Sequence, residues 1–319
     1  MMETSHTVYP YDFLSLPDPI DMFNELCAYK PPINNDRYEL YLYNIEPLYQ
    51  GYYYSTQSDK TIEDKIDNIS SHYTENIRLN AIRKHKKMSP MDFWYNYESW
   101  IRNESEDEEV PLKNIIWKEI GYATIFKPTW MKFLFEVLYS NIDKTSLKML
   151  DFSSGWGDRL IAAISMGVEY VGYDPNIDLM FGHSKIIKEL GYNQFDRYRI
   201  YYNPFETAQL IDDEFDIVFT SPPYFDVESY STDKTQSSVR YNNYHLWKNR
   251  FIFTSIDKSW NVLKKGGYLA LHISNINKQH ISDDITKHMR NKLNSEYMGV
   301  IGVAGYDPKY RPIWIWKKL

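Results

Sequence analysis

The chain has 319 residues, and its 36 lysines and arginines against 43 aspartates and glutamates leave a formal net charge of −7. No stretch approaches the roughly 18 consecutive apolar residues of a membrane-spanning helix, so no membrane partner is expected. The single cysteine, Cys27, excludes a disulfide within the chain, and the first residues lack the pattern of a secretory signal, so we expect a cytoplasmic protein.

The first third of the chain predicts a mainly helical and irregular appendage. Residues 1–60 contain several prolines and are expected to be irregular, with their many tyrosines packed on a neighbouring domain. Between residues 61 and 100, apolar residues such as Ile62 and Ile66 recur at helical spacing. The acidic run from Arg102 to Glu109 is typical of a solvated loop.

From about residue 112 onward, short apolar strands alternate with helices. A helix is predicted to end at the Lys-Lys-Gly-Gly sequence of residues 264–267. Such alternation predicts an α/β fold with a doubly wound, mostly parallel, seven-stranded sheet. We therefore predict an N-terminal region over residues 1–111 and an α/β domain over residues 112–319. The predicted strands are 147–151, 170–173, 198–202, 215–220, 268–273, 299–303 and 313–316, and the main predicted helices are 130–138, 158–166, 186–190 and 246–263.

A glycine-rich segment follows the first of these strands. Asp151 ends the strand, Gly155 and Gly157 lie in the turn, and Asp174 ends the next strand. Glycines let the backbone approach a ligand, and an acidic residue about 20 positions downstream suits a ribose diol. The pattern indicates a nucleoside site, although a tight strand-to-helix turn with a capping aspartate also explains it.

A second motif, Ser221-Pro222-Pro223-Tyr224, follows the fourth strand. Neither proline has an N–H, so the turn cannot continue the ladder of the sheet. Its carbonyl oxygens are therefore expected to face a cleft at the carboxyl end of the strand.

Taken in order, the two motifs resemble those of the S-adenosylmethionine-dependent amino-methyltransferases, the N6-adenine and N4-cytosine DNA methyltransferase family. The resemblance covers about residues 120–319 and implies a Rossmann-like methyltransferase fold that uses S-adenosylmethionine. It implies methyl transfer to an exocyclic amino group of a nucleic-acid base, with DNA adenine N6 or cytosine N4 as the expected target. The Ser221 hydroxyl and the Pro222 carbonyl would hold the amine hydrogens, next to Pro223, and Tyr224 would stack on a flipped base.

The same resemblance implies a set of cofactor-binding residues. Glu206 is expected near the adenine ring, and the Lys127-Pro128 segment near the methionine end. Ser153 stands where the family usually has glycine or phenylalanine, which leaves the contacts near the methionine end open. The implied set is Asp151, Ser153, Gly155, Gly157, Asp174, Glu206, Lys127 and Pro128.

Two segments carry the residue types of a nucleic-acid contact. Residues 76–91 are basic without an acid, and residues 230–250 interleave basic and aromatic side chains, which suit phosphate contact and base stacking. A solvated helix face and a flexible loop are the alternatives. Because residues 1–120 hold 12 basic and 21 acidic side chains, binding is expected to depend on these few cations and to weaken with salt. The predicted contact residues are Arg78, Arg83, Lys84, Lys86, Lys87, Arg240, Tyr241 and Tyr244.

Two other functions remain open from the sequence. Related Pro-Pro-Tyr turns serve methyltransferases that act on RNA bases or on a protein glutamine amide. A catalytically silent nucleic-acid-binding or scaffolding member of the same fold is the third possibility. No metal site is expected, because His183, His245 and His272 do not stand at ligand spacing.

Overall fold

The computed structural model describes residues 16–34, 54–83, 86–108, 111–210, 214–225, 227–275, 279–305 and 310–319. The helices are α1 (Pro19–Ala28), α2 (Lys60–Lys65), α3 (Ser71–Arg78), α4 (Pro90–Glu108), α5 (Leu112–Glu119), α6 (Pro128–Tyr139), α7 (Asp158–Met166), α8 (Met180–Glu189), α9 (Ser237–Arg240), α10 (Tyr244–Trp247), α11 (Thr254–Val262) and α12 (Ile281–Arg290). The strands are β1 (Ser55–Gln57), β2 (Ile82–Arg83), β3 (Lys148–Asp151), β4 (Glu169–Tyr173), β5 (Tyr198–Tyr201), β6 (Phe215–Thr220), β7 (Glu228–Ser229), β8 (Leu263–His272), β9 (Ser295–Ala304) and β10 (Arg311–Lys318). None of the helices in these ranges is long and apolar enough to cross a membrane.

The main sheet confirms the predicted α/β class. Its strands lie in the order β1-β9-β10-β8-β6-β3-β4-β5, and β10 is antiparallel to both of its neighbours while the other pairs are parallel. The predicted number of seven strands is wrong, because β1 from the N-terminal region adds an eighth beside β9, with Thr56 opposite Val303. This strand is short and rich in hydroxyl side chains, so it carries no hydrophobic pattern that sequence could detect.

The order of the strands creates a switch point beside β3. The chain runs outward from β3 through β4 to β5, and then crosses to β6 on the other side of β3. Leu150 of β3 lies opposite Val171 of β4 and Val218 of β6, so the three strands are in register near their carboxyl ends. Connections that leave in opposite directions open a crevice at this place. The glycine-rich turn and the Ser-Pro-Pro-Tyr turn therefore lie side by side.

Helices cover both faces of the sheet. One face packs on α1, α6 and α7, with Phe133, Leu134 and Leu160 fully buried. The other packs on α10, α11 and α12, where Trp247 and Trp260 contribute the largest buried rings. Strands covered on both faces explain the near-continuous apolar sequences of the predicted strands.

Helix α1 corrects the expectation of an irregular N-terminus. Pro19 lies at the first helical position, where a missing N–H costs no hydrogen bond, and the Asp18 side chain accepts the N–H of Ile20 at 2.8 Å. Met22 and Leu26 then join the core of the α/β fold. Proline here begins a helix instead of interrupting one. The predicted tyrosine-rich packing at residues 41–53 lies outside the described residues.

The acidic run is also helical, which the prediction of a solvated loop missed. Helix α4 continues to Glu108, with Ile101 buried against Ile116 of α5 and Arg102 paired with Glu98 at 2.9 Å. The buried Ile101 thus anchors the start of this charged segment against the neighbouring helix, and the side chains of residues 102–107 are exposed or partly exposed. Because α5 packs on α4, the domain boundary at residue 111 stays a prediction.

Residues 264–267 belong to strand β8. The sequence predicted that a helix would end at these residues. Helix α11 ends at Val262, and Leu263 already pairs with Phe215 of β6. The register of β6 against β8 then shifts between Phe215 and Ile217, so the Lys-Lys-Gly-Gly segment bulges from the strand. Gly266 takes a φ of 83° in this bulge, a conformation that glycine tolerates.

We expect Gly157→Ala to destabilise the protein far more than Gly266→Ala. Both glycines have positive φ, 99° and 83°, which costs about 1–2 kcal/mol for alanine. A Cβ at Gly157 would also lie 2.8 Å from Ile186 Cδ1, whereas one at Gly266 would meet nothing within 4 Å. Overpacking adds about 1–3 kcal/mol to the loss in the free energy of unfolding for Gly157→Ala, measured by urea titration. Equal losses in the two variants would contradict the packing argument.

Candidate active site

A cavity of about 370 Å³ opens at the carboxyl ends of the parallel strands. Its walls come from the turn after β3, from the ends of β4, β6 and β8, and from the segment that precedes α6. This is the switch point at which open α/β sheets bind ligands.

The cavity brings together most of the residues that the sequence singled out. Ser153, Gly155, Asp174 and Glu206 line it, and so do all four residues of the Ser-Pro-Pro-Tyr turn, 221–224. Asp151, Gly157, Lys127 and Pro128 do not line it. The cofactor role of the eight residues stays a prediction, but Ser153, Gly155, Asp174 and Glu206 line the same cavity as the predicted catalytic turn.

Asp151 is a buried anchor below the cavity. Its carboxylate accepts the Arg159 Nε–H at 2.7 Å, the Tyr170 hydroxyl at 2.8 Å and the Ser153 N–H at 3.1 Å. Arg159 also donates to the Ser153 carbonyl and lines the cavity. Asp151 therefore shapes the glycine-rich turn from inside, through a fully desolvated ion pair.

His183 of α8 closes the same turn from the other side. Its Nε2 lies 2.9 Å from the Gly155 carbonyl, and its Nδ1 lies 3.1 Å from the Tyr202 hydroxyl. Burial lowers the pKa of His183 to about 4, so the ring is neutral and carries one N–H. Because a carbonyl only accepts, Nε2 donates to Gly155 and Nδ1 accepts from Tyr202. No spacing in the sequence points to this contact.

Asp174 stands at the tip of β4 with its carboxylate against two backbone amides. It accepts the N–H of Gly155 at 2.8 Å and that of Asn176 at 2.9 Å. Burial raises the pKa of Asp174 to about 6 in spite of these hydrogen bonds. An ionised carboxylate has about four acceptor positions, so this one keeps capacity for donors from a ligand.

An apolar corner lies beside Asp174, at the end of β5. Phe152 and Phe205 stack with their ring centroids 5.4 Å apart, and Pro204 and Phe251 complete the corner. Glu206 borders it, and its carboxylate accepts the Tyr241 hydroxyl at 3.0 Å. The corner offers flat apolar surface next to acidic oxygen atoms, which suits an aromatic ring with polar edges.

The Ser-Pro-Pro-Tyr turn is held by its neighbours. Ser221 Oγ lies 3.1 Å from Nδ1 of His272, the last residue of β8. Phe225, directly after the motif, has a φ of 42°, which is unusual for a bulky residue. Its ring packs on Tyr244 and Trp247, with centroids 5.9 and 5.6 Å away. Strain of this kind persists only where the surroundings enforce it, and it concentrates at functional sites.

The basic segment at residues 76–91 is divided by the fold. Arg83 lines the cavity and Lys87 is exposed, whereas Arg78 is partly buried, paired with Glu75 and bonded to the Ala123 carbonyl at 2.6 Å. Lys86 is exposed and donates to the carbonyl of Glu119. The predicted contact Lys84 lies outside the described residues. Arg83 and Lys87 are thus the described cations of this segment best placed for a ligand, and the contact itself stays a prediction.

The second predicted contact segment supports the cavity wall. Arg240 lies 3.3 Å from the Glu206 carboxylate, to which Tyr241 also donates. Tyr244 stacks on Trp247 with a centroid distance of 6.0 Å. Their described contacts are therefore internal, and a nucleic-acid contact by these three residues also stays a prediction.

Several lining residues had no sequence signal. Thr124, Ile125 and Phe126 occupy the place expected for Lys127 and Pro128, because Lys127 lies over the Trp130 ring and Pro128 begins the buried helix α6. Trp156 also lines the cavity, from within the glycine-rich turn, and so does Arg311. Residues 124–126 and Arg311 come from distant parts of the chain, and only the packing of α6 and β10 brings them to the site.

No protein-family model and no curated protein sequence matches the chain. Similar solved structures include an rRNA methylase from Streptococcus thermophilus, with 14% identity, a TM-score of 0.41, and coverage of 62% of this chain and 99% of that chain. A SAM-dependent O-methyltransferase from Thermotoga maritima shares 15% identity with a TM-score of 0.39, over 62% of this chain and 67% of that one. TrmN from Thermus thermophilus has 12% identity, a TM-score of 0.41, and coverage of 61% and 49%. We draw no functional conclusion from likenesses this distant.

We expect Asp151→Asn to lower the free energy of unfolding by about 3 kcal/mol or more, because it leaves the buried Arg159 charge without its partner. Tyr170→Phe is the matched control, since it removes one hydrogen bond to the same carboxylate and should cost about 1 kcal/mol. Urea titration at neutral pH measures both. A loss for Asp151→Asn no larger than that for Tyr170→Phe would show that the ion pair does not anchor the turn.

Proposed function

We propose that the protein transfers a methyl group from S-adenosylmethionine to an exocyclic amino group of a nucleic-acid base, with DNA adenine N6 or cytosine N4 as the target. One observation carries the proposal. The glycine-rich turn with Asp174 and the Ser-Pro-Pro-Tyr turn open on the same cavity, so a nucleoside-binding wall and an amine-binding wall face one space.

The residues of the first wall fit an adenosyl group. The Asp174 carboxylate has free acceptor positions for ribose hydroxyls, and the Phe152–Phe205 corner suits the adenine ring. A Cβ at Gly155 would meet no atom closer than 3.9 Å, so the turn leaves open space for a ligand. Among the described residues, the buried Trp130 Nε1 and Gln236 Nε2 on the cavity wall have no hydrogen-bond partner, as expected of a site that takes a polar ligand.

The second wall fits an amino group. An exocyclic amine is a poor nucleophile because its lone pair is delocalised into the base. The Ser221 hydroxyl oxygen and the Pro222 carbonyl would each accept one amine hydrogen and favour a tetrahedral nitrogen. Bound S-adenosylmethionine would supply an electrophilic methyl group on its sulfonium. The contribution of the chain is then to position the nitrogen, which alone accounts for large rate effects.

The position of the motif favours a base that leaves its stack. Pro222, Pro223 and Tyr224 are partly buried or buried in the cavity wall, and Val227 and Tyr230 line the same cavity. A base inside a duplex could not reach this depth, so the target base would be single-stranded or flipped out. Tyr224 and Tyr230 would supply stacking surfaces, and Arg83 and Arg311 positive charge near the flanking phosphates.

We expect Ser221→Ala to lower the rate of methyl transfer by about a hundredfold or more, because one acceptor of the amine is lost while the cofactor wall stays intact. The measurement uses isotope-labelled S-adenosylmethionine with DNA and RNA, followed by mass spectrometry of the nucleosides. Ser165→Ala, on α7 and outside the cavity, is the control and should transfer at the wild-type rate. Undiminished transfer by Ser221→Ala would refute the role of the motif.

The same products decide between acceptors. N6-methyladenosine or N4-methylcytidine from RNA alone would move the target from DNA to RNA, and labelled protein would indicate a glutamine amide. Cofactor binding without transfer to any of these acceptors would contradict the proposed activity.

We expect S-adenosylmethionine to bind about tenfold more weakly at pH 5 than at pH 7.5, because the pKa of Asp174 is raised to about 6 and only its ionised form accepts both ribose hydroxyls. Binding weakens as the pH falls, because lowering the pH through 6 protonates the Asp174 carboxylate and removes an acceptor. Calorimetric titration at the two pH values measures the affinities.

Two variants assign this pH dependence. Asp174→Asn should bind weakly at both pH values. Asp158 also lines the cavity and has a pKa raised to about 6 by burial, but its Oδ1 is held by the Ser70 hydroxyl at 2.5 Å. Asp158→Asn should therefore keep the pH dependence of S-adenosylmethionine binding. If Asp158→Asn lost this pH dependence, Asp158 and not Asp174 would be the group responsible.

A further inference from the structure

His272 is a buried residue on the cavity wall that has no role in the proposed reaction as described so far. His272 ends β8, with only 5% of its surface exposed, and its Nδ1 lies 3.1 Å from Ser221 Oγ. The rings of Phe126 and Trp130 flank the imidazole at centroid distances of 5.5 and 5.6 Å. The pair joins β8 to the turn after β6, across a separation of 51 positions along the chain.

The Ser221 hydroxyl can meet the imidazole in two ways, and they have opposite consequences for an amine. If Nδ1–H donates to Oγ, one lone pair of Oγ is used, and the serine proton competes with the remaining lone pair for the position that faces the substrate amine. If Nδ1 accepts the serine proton, both lone pairs of Oγ remain free for amine hydrogens. The second arrangement also turns the serine proton away from the amine, so it makes Ser221 the better acceptor for the proposed function.

We propose that His272 is the positioning residue of Ser221: its Nδ1 accepts the hydroxyl proton and so turns the Oγ lone pairs towards the substrate amine. The inference rests on the proposed function and adds a residue to it. A serine hydroxyl otherwise rotates about its Cβ–Oγ bond, and fixing it before the substrate arrives removes that reorganisation from the reaction.

The surroundings of His272 keep its imidazole able to accept. Burial, together with the positive charges of Arg311 and Arg159, lowers the pKa of His272 to about 3. The ring is therefore neutral over the whole working range of pH, with one nitrogen free of a proton. Among the described residues, Nε2 has no hydrogen-bond partner and is packed against aromatic rings, which can receive an N–H weakly. The proposal therefore puts the proton on Nε2, facing these rings, and the lone pair on Nδ1.

A double-mutant cycle tests the proposal. His272→Ala should lower kcat roughly tenfold to a hundredfold, the loss of one buried hydrogen bond, with the KM for S-adenosylmethionine unchanged. In the Ser221→Ala background the same substitution should have no further effect, because His272 acts through the serine. His272→Asn offers an amide oxygen near the position of Nδ1 and should recover most of the rate. His280→Asn, at an exposed histidine outside the cavity and outside both predicted contact segments, is the control and should leave the rate unchanged.

A second measurement reads the hydrogen bond without any substrate. In ¹⁵N-histidine-labelled protein, the His272 signal, assigned by its absence in His272→Asn, should show an unprotonated Nδ1 and a protonated Nε2. A protonated Nδ1 would overturn the proposal, and so would additive losses in the cycle or a failure of asparagine to recover the rate. Failure of the wild type to methylate any acceptor would refute the proposed function. The tautomer measurement would still show whether Nδ1 of His272 accepts the Ser221 proton.

Discussion

The buried ion pair between Asp151 and Arg159 is the interaction on which the site depends. Both side chains are removed from water, and the pair fixes Ser153 through its N–H and its carbonyl. With the start of the turn held in this way, the Gly155 carbonyl meets His183 and its N–H meets Asp174. Replacing a buried ion pair with apolar residues is often neutral for stability, so its value here lies in one defined shape of the turn.

The N-terminal region is packed into the α/β fold and contributes to the cavity. It supplies β1 to the edge of the sheet, α1 to the core, and Arg83 to the cavity. Strand β2 pairs with β7, with Arg83 opposite Glu228, and β7 lies in the loop that follows the Ser-Pro-Pro-Tyr turn. The segments proposed to recognise a target are therefore joined to the catalytic turn by backbone hydrogen bonds.

The fold was predictable where local pattern and packing agree. Strands β3, β4 and β6 are covered on both faces, and their apolar runs ending in glycine or proline could be located within one or two residues. Prediction failed where a tertiary partner reverses a local preference. The sheet edge recruits the polar strand β1, α5 holds the charged end of α4, and β6 pairs with Leu263, where a helix end was predicted.

The sequence by itself determined the α/β class and the two turns at the carboxyl ends of β3 and β6, because apolar runs and the glycine or proline that follows them are local signals. The order of the strands, and with it the switch point beside β3, came from the tertiary structure. Only the tertiary structure decided which side chains face the cavity. It assigned Asp151 to the interior and Asp174 to the wall, and it brought His183 to Gly155 and His272 to Ser221. These contacts join residues 28 and 51 positions apart through the parallel packing of strands, and no spacing along the chain encodes such a meeting.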